Sequence, residues 1–362
     1  AKNEDQLRKS VAATAIIGCI LSLFVIFIGA VGLFPLLQFL GTPSAIVSQS
    51  YLYISTIVNG VAVTFAYNLC AGLLRAVGDS LAALYFLIIA AVLNILLDLY
   101  FITQLHLGVQ SAGIATIIAQ GISALLCLLY IRKKVPFLLP HRKDFVCDKE
   151  LYQDLLSQGL AMGLMTSIVS IGTVILQSAI NQLGTTIISA QVAARRIMSF
   201  AVLPITAIAS SITTFISQNF GAEQFQRIKK GVTIANLLSW VWSVLVAALL
   251  FFTSPSLTSF ISGSTNPDLI ANASLYLQIS SCFYPILASL IILRNALQGM
   301  GKKLTPLTSS FIELFGKIFF VLWIIPHTGY MGVILCEPLI WIPMTLQLII
   351  IYRKIRYQLL TE

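Results

Sequence analysis

AEQFQRIKKGV (Ala222–Val232) repeats the pattern of AKNEDQLRKSV (Ala1–Val11), which opens the chain. Two further pairs follow in the same order and at nearly the same separation: YLYIS (Tyr51–Ser55) with YLQIS (Tyr276–Ser280), and YIRKK (Tyr130–Lys134) with YRKIR (Tyr352–Arg356). Three matches in one order and at nearly one spacing predict that the chain contains two copies of one structural unit.

The two copies differ in what precedes the first motif. Residues 159–219, ahead of Ala222, hold two long apolar runs, and their counterparts in the first copy would fall before Ala1. We therefore expect a complete protein to carry two further membrane spans, roughly 60–80 residues at about 20 apolar residues per span plus loops.

Composition indicates a membrane protein. Hydrophobic residues make up 58% of the sequence, charged residues 10%, and the mean hydropathy is +0.92, whereas a soluble domain carries about 25% charged residues. The formal net charge of +9 comes from Lys and Arg in short segments between apolar runs. That pattern is typical of membrane topology rather than of a nucleic-acid-binding surface. We expect the lipid bilayer as a partner and no nucleic acid.

Ten apolar runs have about the length that a helix needs to cross a bilayer, ~20 residues. They are 11–40, 51–74, 81–105, 107–131, 159–183, 192–219, 232–254, 273–298, 304–325 and 329–351. They lack the alternation of barrel strands, so helices are the spanning form expected. The predicted fold class is an all-α polytopic membrane protein of two parallel-repeat helical lobes, with ten transmembrane helices present of an expected twelve.

Charge sets the predicted orientation and the domain limits. With the N-terminus of this chain in the cytoplasm, 19 of the 22 Lys and Arg lie on the inner side of the ten spans, as the positive-inside rule requires. Both ends of the chain are then cytoplasmic. We predict a four-helix N-lobe at 1–134, a cytoplasmic linker at 135–158 with a short amphipathic helix over 149–158, and a six-helix C-lobe at 159–362.

One carboxylate lies deep in an apolar run, Asp98 in VLNILLDLYF (Val92–Phe101). Asn94, four residues earlier, falls on the same helix face, and Thr116 of the next span can add a hydroxyl. A carboxylate at membrane depth costs about 2.5–3.5 kcal/mol even on the lenient insertion scale, so something should compensate. The three side chains suit a Na+ ion or a proton relay. The alternative is a structural Asp hydrogen-bonded to a neighbouring helix.

Five further polar residues inside spans are candidates for lining a cavity or contacting a substrate: Gln177, Asn181, Arg196, Glu313 and Glu337. Gln177 and Asn181 share one helix face, where they can equally join two helices by hydrogen bonds. Of the neighbours Arg195 and Arg196, one can lie inside a span because its long side chain extends to the membrane interface. We take the other, Arg196, as the candidate for the cavity.

The two glutamates carry open alternatives of their own. Glu313 and Lys317 are spaced i, i+4, so they can neutralise each other or take part in coupling. Glu337 precedes Pro338 nearer the predicted outer face, where it either faces a cavity or reaches the membrane interface.

Soluble-enzyme motifs are absent from the sequence, which contains no GxxxxGK[ST], HExxH or CxxC. The three histidines stand in separate loops, and no segment is long and polar enough to be a nucleotide-binding domain. We therefore expect neither an enzyme nor an ATP-driven pump, and no bound cofactor beyond transported H+ or Na+.

Several stretches resemble multidrug and toxic compound extrusion (MATE) transporters, and the resemblance covers essentially the whole chain. They are LLRAVGDS (Leu73–Ser80), LNILLDLYFI (Leu93–Ile102), LGVQSAGIATIIAQ (Leu107–Gln120), the stretch Ala194–Ala222 and NALQGMGKK (Asn295–Lys303). The bacterial DNA-damage-inducible-like branch is the most similar. The resemblance implies two six-helix lobes and a monomer in the bacterial inner membrane. It also implies that small organic, often cationic compounds are exported in exchange for H+ or Na+ by alternating access.

The resemblance also assigns roles to residues. Asn94, Asp98 and Thr116 match the cation site of the family's N-lobe, whose further acidic residue on the first span would precede Ala1. Gln177 stands where many members have an acidic residue, so a C-lobe cation site is not expected.

Two alternatives stay open for the function: a lipid-linked oligosaccharide flippase of the same superfamily, and a non-functional fragment of a MATE transporter.

Overall fold

A computed structural model describes residues 4–39, 44–106, 108–146 and 148–361, so the first three residues of the motif at Ala1 lie outside it. Within these ranges the chain is helical and contains no strand. The helices are α1 (Glu4–Phe39), α2 (Ser44–Asn59), α3 (Val61–Ala76), α4 (Ser80–Thr103), α5 (Gln110–Lys134), α6 (Lys149–Asn181), α7 (Thr185–Gly221), α8 (Phe225–Ser262), α9 (Pro267–Cys282), α10 (Tyr284–Gly299), α11 (Leu304–Phe319), α12 (Ile325–Thr328) and α13 (Tyr330–Thr361). Two 3₁₀ turns, Pro136–Leu138 and Arg142–Asp144, follow α5, and a π-helical segment, Phe320–Ile324, joins α11 to α12.

Eight helical stretches are long and apolar enough to cross a membrane, and two bent pairs bring the number to ten. The bent pairs are α2 with α3, at 45°, and α9 with α10, at 58°. The ten correspond one to one with the ten predicted runs. The predicted fold class, an all-α polytopic membrane protein, is therefore confirmed.

The repeated motifs occupy equivalent places in the two copies. The described part of the first motif, residues 4–11, lies in α1, and residues 225–232 of the second motif lie in α8. YLYIS lies in α2 and YLQIS in α9, which are the first members of the two bent pairs. Helices α1, α2, α3, α4 and α5 therefore correspond in order to α8, α9, α10, α11 together with α12, and α13.

The two bends have different local causes. Between α2 and α3, Gly60 lies so close to α5 that a Cβ there would come 2.3 Å from the Ile117 side chain. Between α9 and α10, Pro285 lacks the N–H that would continue the helical ladder. The Phe283 N–H donates to the Ser280 carbonyl oxygen at 3.0 Å, a tighter turn that ends α9.

The chain divides into two compact units, Ala1–Leu156 and Ser157–Glu362. The boundary falls inside α6, which runs without interruption from Lys149 to Asn181. The segment 149–158, which we predicted as a separate short amphipathic helix in a linker over 135–158, is instead the first part of this longer helix. The reason is that no proline interrupts residues 149–181, so the backbone hydrogen bonds continue.

Each unit has its own apolar core. In the larger unit, Ile216 of α7, Leu277 of α9 and Ile292 of α10 are fully buried in one cluster. Phe252 and Phe260 of α8 are instead 80% and 83% exposed. Large apolar side chains pointing outward are what helices present to lipid, which solvates them as well as a protein core does.

The start of α1 is anchored to the segment after α5. Asp144 accepts a hydrogen bond from the His141 backbone N–H at 2.7 Å, and its Oδ2 lies 3.6 Å from Arg8 Nε. Arg8 also contacts Asp5. The His141 N–H, followed by the Arg8 charge, lowers the pKa of Asp144 below its usual value. The anchor is therefore at full strength at neutral pH and weakens as the pH falls through that lowered pKa.

Helices α7 and α10 approach closely at Gly299, where a Cβ would come 2.8 Å from the Thr213 carbonyl oxygen and 3.2 Å from Ile216. We expect Gly299→Ala to lower the free energy of unfolding by about 1–3 kcal/mol, because a backbone carbonyl cannot move aside cheaply. Thermal unfolding of the detergent-solubilised protein measures this. Gly163→Ala on α6, where a Cβ meets nothing within 4 Å, should be neutral or stabilising. Equal melting temperatures for the two variants would contradict the prediction.

Candidate functional site

The first candidate site lies in the unit Ala1–Leu156, on α4 and α5. Asn94 Nδ2 donates to Thr116 Oγ1 at 3.1 Å, and Thr116 donates to the Ala112 carbonyl oxygen at 2.8 Å. Asp98, one helical turn from Asn94, has a buried Oδ1 atom with no hydrogen-bond partner among the described residues. A buried carboxylate oxygen without a partner is costly, so this site is suited to a proton or cation that would complete it.

Of the three residues predicted for this site, the structure joins two directly. Asn94 and Thr116 are hydrogen-bonded to each other, while Asp98 makes no direct hydrogen bond to either. No group of three or more His, Cys, Asp or Glu side chains with metal-binding spacing occurs in the described part of the chain. Asp98 offers carboxylate oxygens, and Asn94 and Thr116 offer amide and hydroxyl oxygens, which are hard donors that suit Na+ better than softer metal ions.

Helix α5 supplies polar partners to three neighbouring helices. Besides the bond of Thr116 to α4, Gln120 accepts a hydrogen bond from Thr64 of α3 at 2.6 Å. Gln110 donates to Thr56 of α2 at 3.2 Å. These bonds fix α5 against its neighbours and so hold Thr116 in position. Sequence reasoning did not identify them, although a glutamine inside an apolar span is a signal that could have been used.

The second candidate site is a cluster of charged side chains in the unit Ser157–Glu362. Glu337 Oε1 on α13 lies 3.4 Å from Arg195 Nη2 and 3.4 Å from Lys317 Nζ. Lys317 also contacts Glu313 at 2.9 Å, and Glu313 lies 4.0 Å from Arg294 Nη2. Side chains from α7, α13, α11 and α10 thus form a row in which positive and negative groups alternate.

Two neutral hydroxyl groups complete the row. The Tyr276 hydroxyl donates to Glu337 Oε2 at 3.3 Å, so each carboxylate oxygen of Glu337 has a partner. Arg294 donates through Nη2 to Ser309 Oγ at 2.8 Å. Charges inside a bilayer are tolerated when they are paired and hydrogen-bonded in this way.

A pocket of about 510 Å³ opens beside one end of this row, and we call it the Arg195 pocket. Its lining residues are Arg195, Met198, Ser199, Val202, Leu203, Thr206, Leu287, Ile291, Glu337 and Trp341. This volume falls in the range of sites for small organic molecules, and an apolar wall with few polar groups is typical of them.

The structure places Glu337, Glu313 and Arg196 in three different settings. Glu337 lines the pocket, and Glu313 pairs with Lys317 as their spacing predicted. We predicted Arg196 for the cavity, but the structure places Arg195 there instead. Arg196 is exposed and has no ion pair among the described residues, because successive residues on a helix point about 100° apart.

Gln177 and Asn181 bond each other in the structure, and the cavity-lining and helix-joining roles stay predictions. Gln177 Nε2 donates to Asn181 Oδ1 at 2.8 Å, so the two side chains bond each other along α6. Neither lines the Arg195 pocket. The i, i+4 spacing that put them on one face also brings them within reach of each other.

A family model matches most of the chain. The model of the MatE family covers residues 1–100 and 161–323. The first range holds Asn94 and Asp98, and the second holds Arg195, Glu313 and Lys317. These matches do not favour the oligosaccharide flippase.

Curated relatives are similar over much of the chain. The "Probable multidrug resistance protein YoeA" of Bacillus subtilis is 25% identical over 335 residues, which cover 90% of this chain and 72% of that protein. The "Probable multidrug resistance protein YpnP" of the same organism is 28% identical over 291 residues, 79% of this chain and 64% of that protein. An "FAD transporter" of Shewanella oneidensis is 26% identical over 250 residues, which cover 67% of this chain and 54% of that protein. The chain thus spans between about half and three quarters of these relatives.

Solved structures share the fold. A crystal structure of MATE in the bent conformation superposes with a TM-score of 0.88 at 19% identity, covering 99% of this chain and 84% of that one. A MATE transporter in the outward-facing conformation superposes with a TM-score of 0.85 at 20% identity, covering 98% of this chain and 84% of that one. The fold of this chain is that of the solved MATE structures, and the MatE family model matches most of the chain. This multi-pass membrane protein therefore belongs to the MatE family, the multidrug and toxic compound extrusion transporters.

Proposed function

We propose that the protein is a secondary transporter that exports small organic compounds across the bacterial plasma membrane in exchange for H+ or Na+. The observation that carries the proposal is the buried, unpartnered Oδ1 of Asp98 beside the hydrogen-bonded pair Asn94 and Thr116. Relatives named as multidrug resistance proteins support small organic compounds as the cargo.

Asp98 is the coupling carboxylate in this proposal. With a proton or Na+ bound, its charge is compensated; without one, a bare carboxylate remains in an apolar helix. The two forms therefore favour different surroundings, and a transporter alternating between two conformations will hold the ion more tightly in one of them. A ligand shifts a conformational equilibrium only by its difference in affinity for the two states. Export follows when ion binding from outside weakens binding of the organic compound.

The test is transport into proteoliposomes under imposed gradients. Three dansyl compounds of similar size serve as cargo: dansylglycine, dansylglycinamide and dansylcadaverine, which are anionic, neutral and cationic. We expect a Na+ gradient at equal pH, or a pH gradient without Na+, to drive accumulation of at least one of them. Which gradient works identifies the coupling ion. Accumulation that matches protein-free vesicles under both gradients, for all three compounds, would overturn the proposal.

A further inference from the structure

The Arg195 pocket has two ionisable side chains in its lining, Arg195 and Glu337, and they are not equally available to a ligand. Glu337 Oε1 is shared by Arg195 and Lys317, each at 3.4 Å, and its Oε2 accepts from the Tyr276 hydroxyl. Both oxygens of the carboxylate therefore already have a partner within the protein. Arg195, in contrast, has a buried Nε without a partner among the described residues.

The charge of the whole row is unbalanced. It contains three cations, Arg195, Lys317 and Arg294, and two carboxylates, Glu313 and Glu337. Lys317 lies between both carboxylates, 2.9 Å from Glu313 and 3.4 Å from Glu337. One positive charge is thus left over within the row.

The surplus charge reaches the pocket at Arg195. The Arg195 side chain is 29% exposed, whereas the Lys317 side chain is 2% exposed. Arg294 lies at the far end of the row, where Ser309 and Glu313 hold it. The guanidinium of Arg195 is therefore the positive group that a molecule in the pocket would meet.

We propose that this pocket binds small organic compounds that combine an apolar body with one anionic group, a carboxylate, sulfonate or phosphate monoester. The planar guanidinium of Arg195 binds such a group by charge-assisted hydrogen bonds. Leu287, Ile291 and Trp341 form an apolar wall against which the body packs. Glu337 lies close enough to repel a second negative charge, which favours monoanions.

This inference deepens the proposed function by naming its substrate class, and it departs from the cationic cargo that the family resemblance implies. It rests on the proposed function only for the statement that the bound compound is transported. Binding itself can be measured without any gradient, so the two proposals can fail separately.

The experiment measures equilibrium binding of the three dansyl compounds to the protein in phosphatidylcholine nanodiscs. The signal from protein-free nanodiscs is subtracted. We expect dansylglycine to bind about 10- to 100-fold more tightly than dansylglycinamide or dansylcadaverine. This is the gain in affinity that a hydrogen bond to a charged group provides. Arg195→Gln should bring dansylglycine to the affinity of the neutral amide, and Arg195→Lys should retain part of the preference. Arg196→Gln, at the exposed neighbouring arginine, is the matched control and should change nothing.

Binding of dansylglycinamide reports whether each variant has folded, because the neutral amide depends on the apolar wall and not on the charge. Two results would overturn the inference: dansylcadaverine binding to the unmodified protein as tightly as dansylglycine, or Arg195→Gln retaining the preference for the anion. If the anion preference holds but no gradient drives transport, the binding site stands and the proposed function falls.

Discussion

Asp98→Asn should reduce gradient-driven accumulation of the transported compound to the level of protein-free vesicles. The amide has nearly the shape of the carboxylate but neither takes up a proton nor carries the charge that holds a cation. The conformational equilibrium then loses its dependence on the coupling ion. The measurement is dansyl accumulation in proteoliposomes under the gradient that drives the unmodified protein.

Two controls separate coupling from folding. Asp268→Asn replaces an exposed carboxylate near the start of α9 and should leave accumulation unchanged. Equilibrium binding of the same compound to Asp98→Asn without a gradient should also persist, since Asp98 is not among the residues that line the Arg195 pocket. Undiminished gradient-driven accumulation in Asp98→Asn would end the assignment of Asp98 as the coupling residue.

The sequence was sufficient to predict the ten spans and the repeat, because a bilayer demands long apolar helices and duplicated motifs keep their spacing. It was less informative about where helices break. Pro204, Pro338 and Pro343 lie inside continuous helices, whereas Pro285 is the second residue of α10, which follows a break. The other bend falls at Gly60, where contact with α5 rather than a missing N–H requires the glycine.

The two candidate sites differ in how far the sequence predicts them. Asn94 and Asp98 are four residues apart on one helix, so local spacing alone brings them together. The row from Arg195 to Arg294 joins side chains of four separate helices, α7, α10, α11 and α13. Which residue of a helix faces a partner depends on how the helix is rotated about its own axis. An apolar run with only one or two charged positions does not determine that rotation. The choice between Arg195 and Arg196 was therefore beyond sequence reasoning.

Glu337→Gln should lower the stability of the unit Ser157–Glu362 by about 3–5 kcal/mol, because a buried cation that loses its partner costs this much. The change leaves Arg195 without its ion pair and Lys317 with one carboxylate instead of two. For a unit of this size the melting temperature should fall by about 6–20 °C. Thermal unfolding in detergent measures the change.

The double variant Glu337→Gln with Arg195→Gln identifies the cause. If the loss arises from an uncompensated charge, removing one of the cations should recover part of the stability, and the two substitutions will not be additive. Arg196→Gln, outside the row, should stay within about 0.5 kcal/mol of the unmodified protein. A Glu337→Gln variant as stable as Arg196→Gln would mean that the charges of the row are solvated rather than paired. The surplus positive charge that we assign to the pocket at Arg195 would then lose its basis.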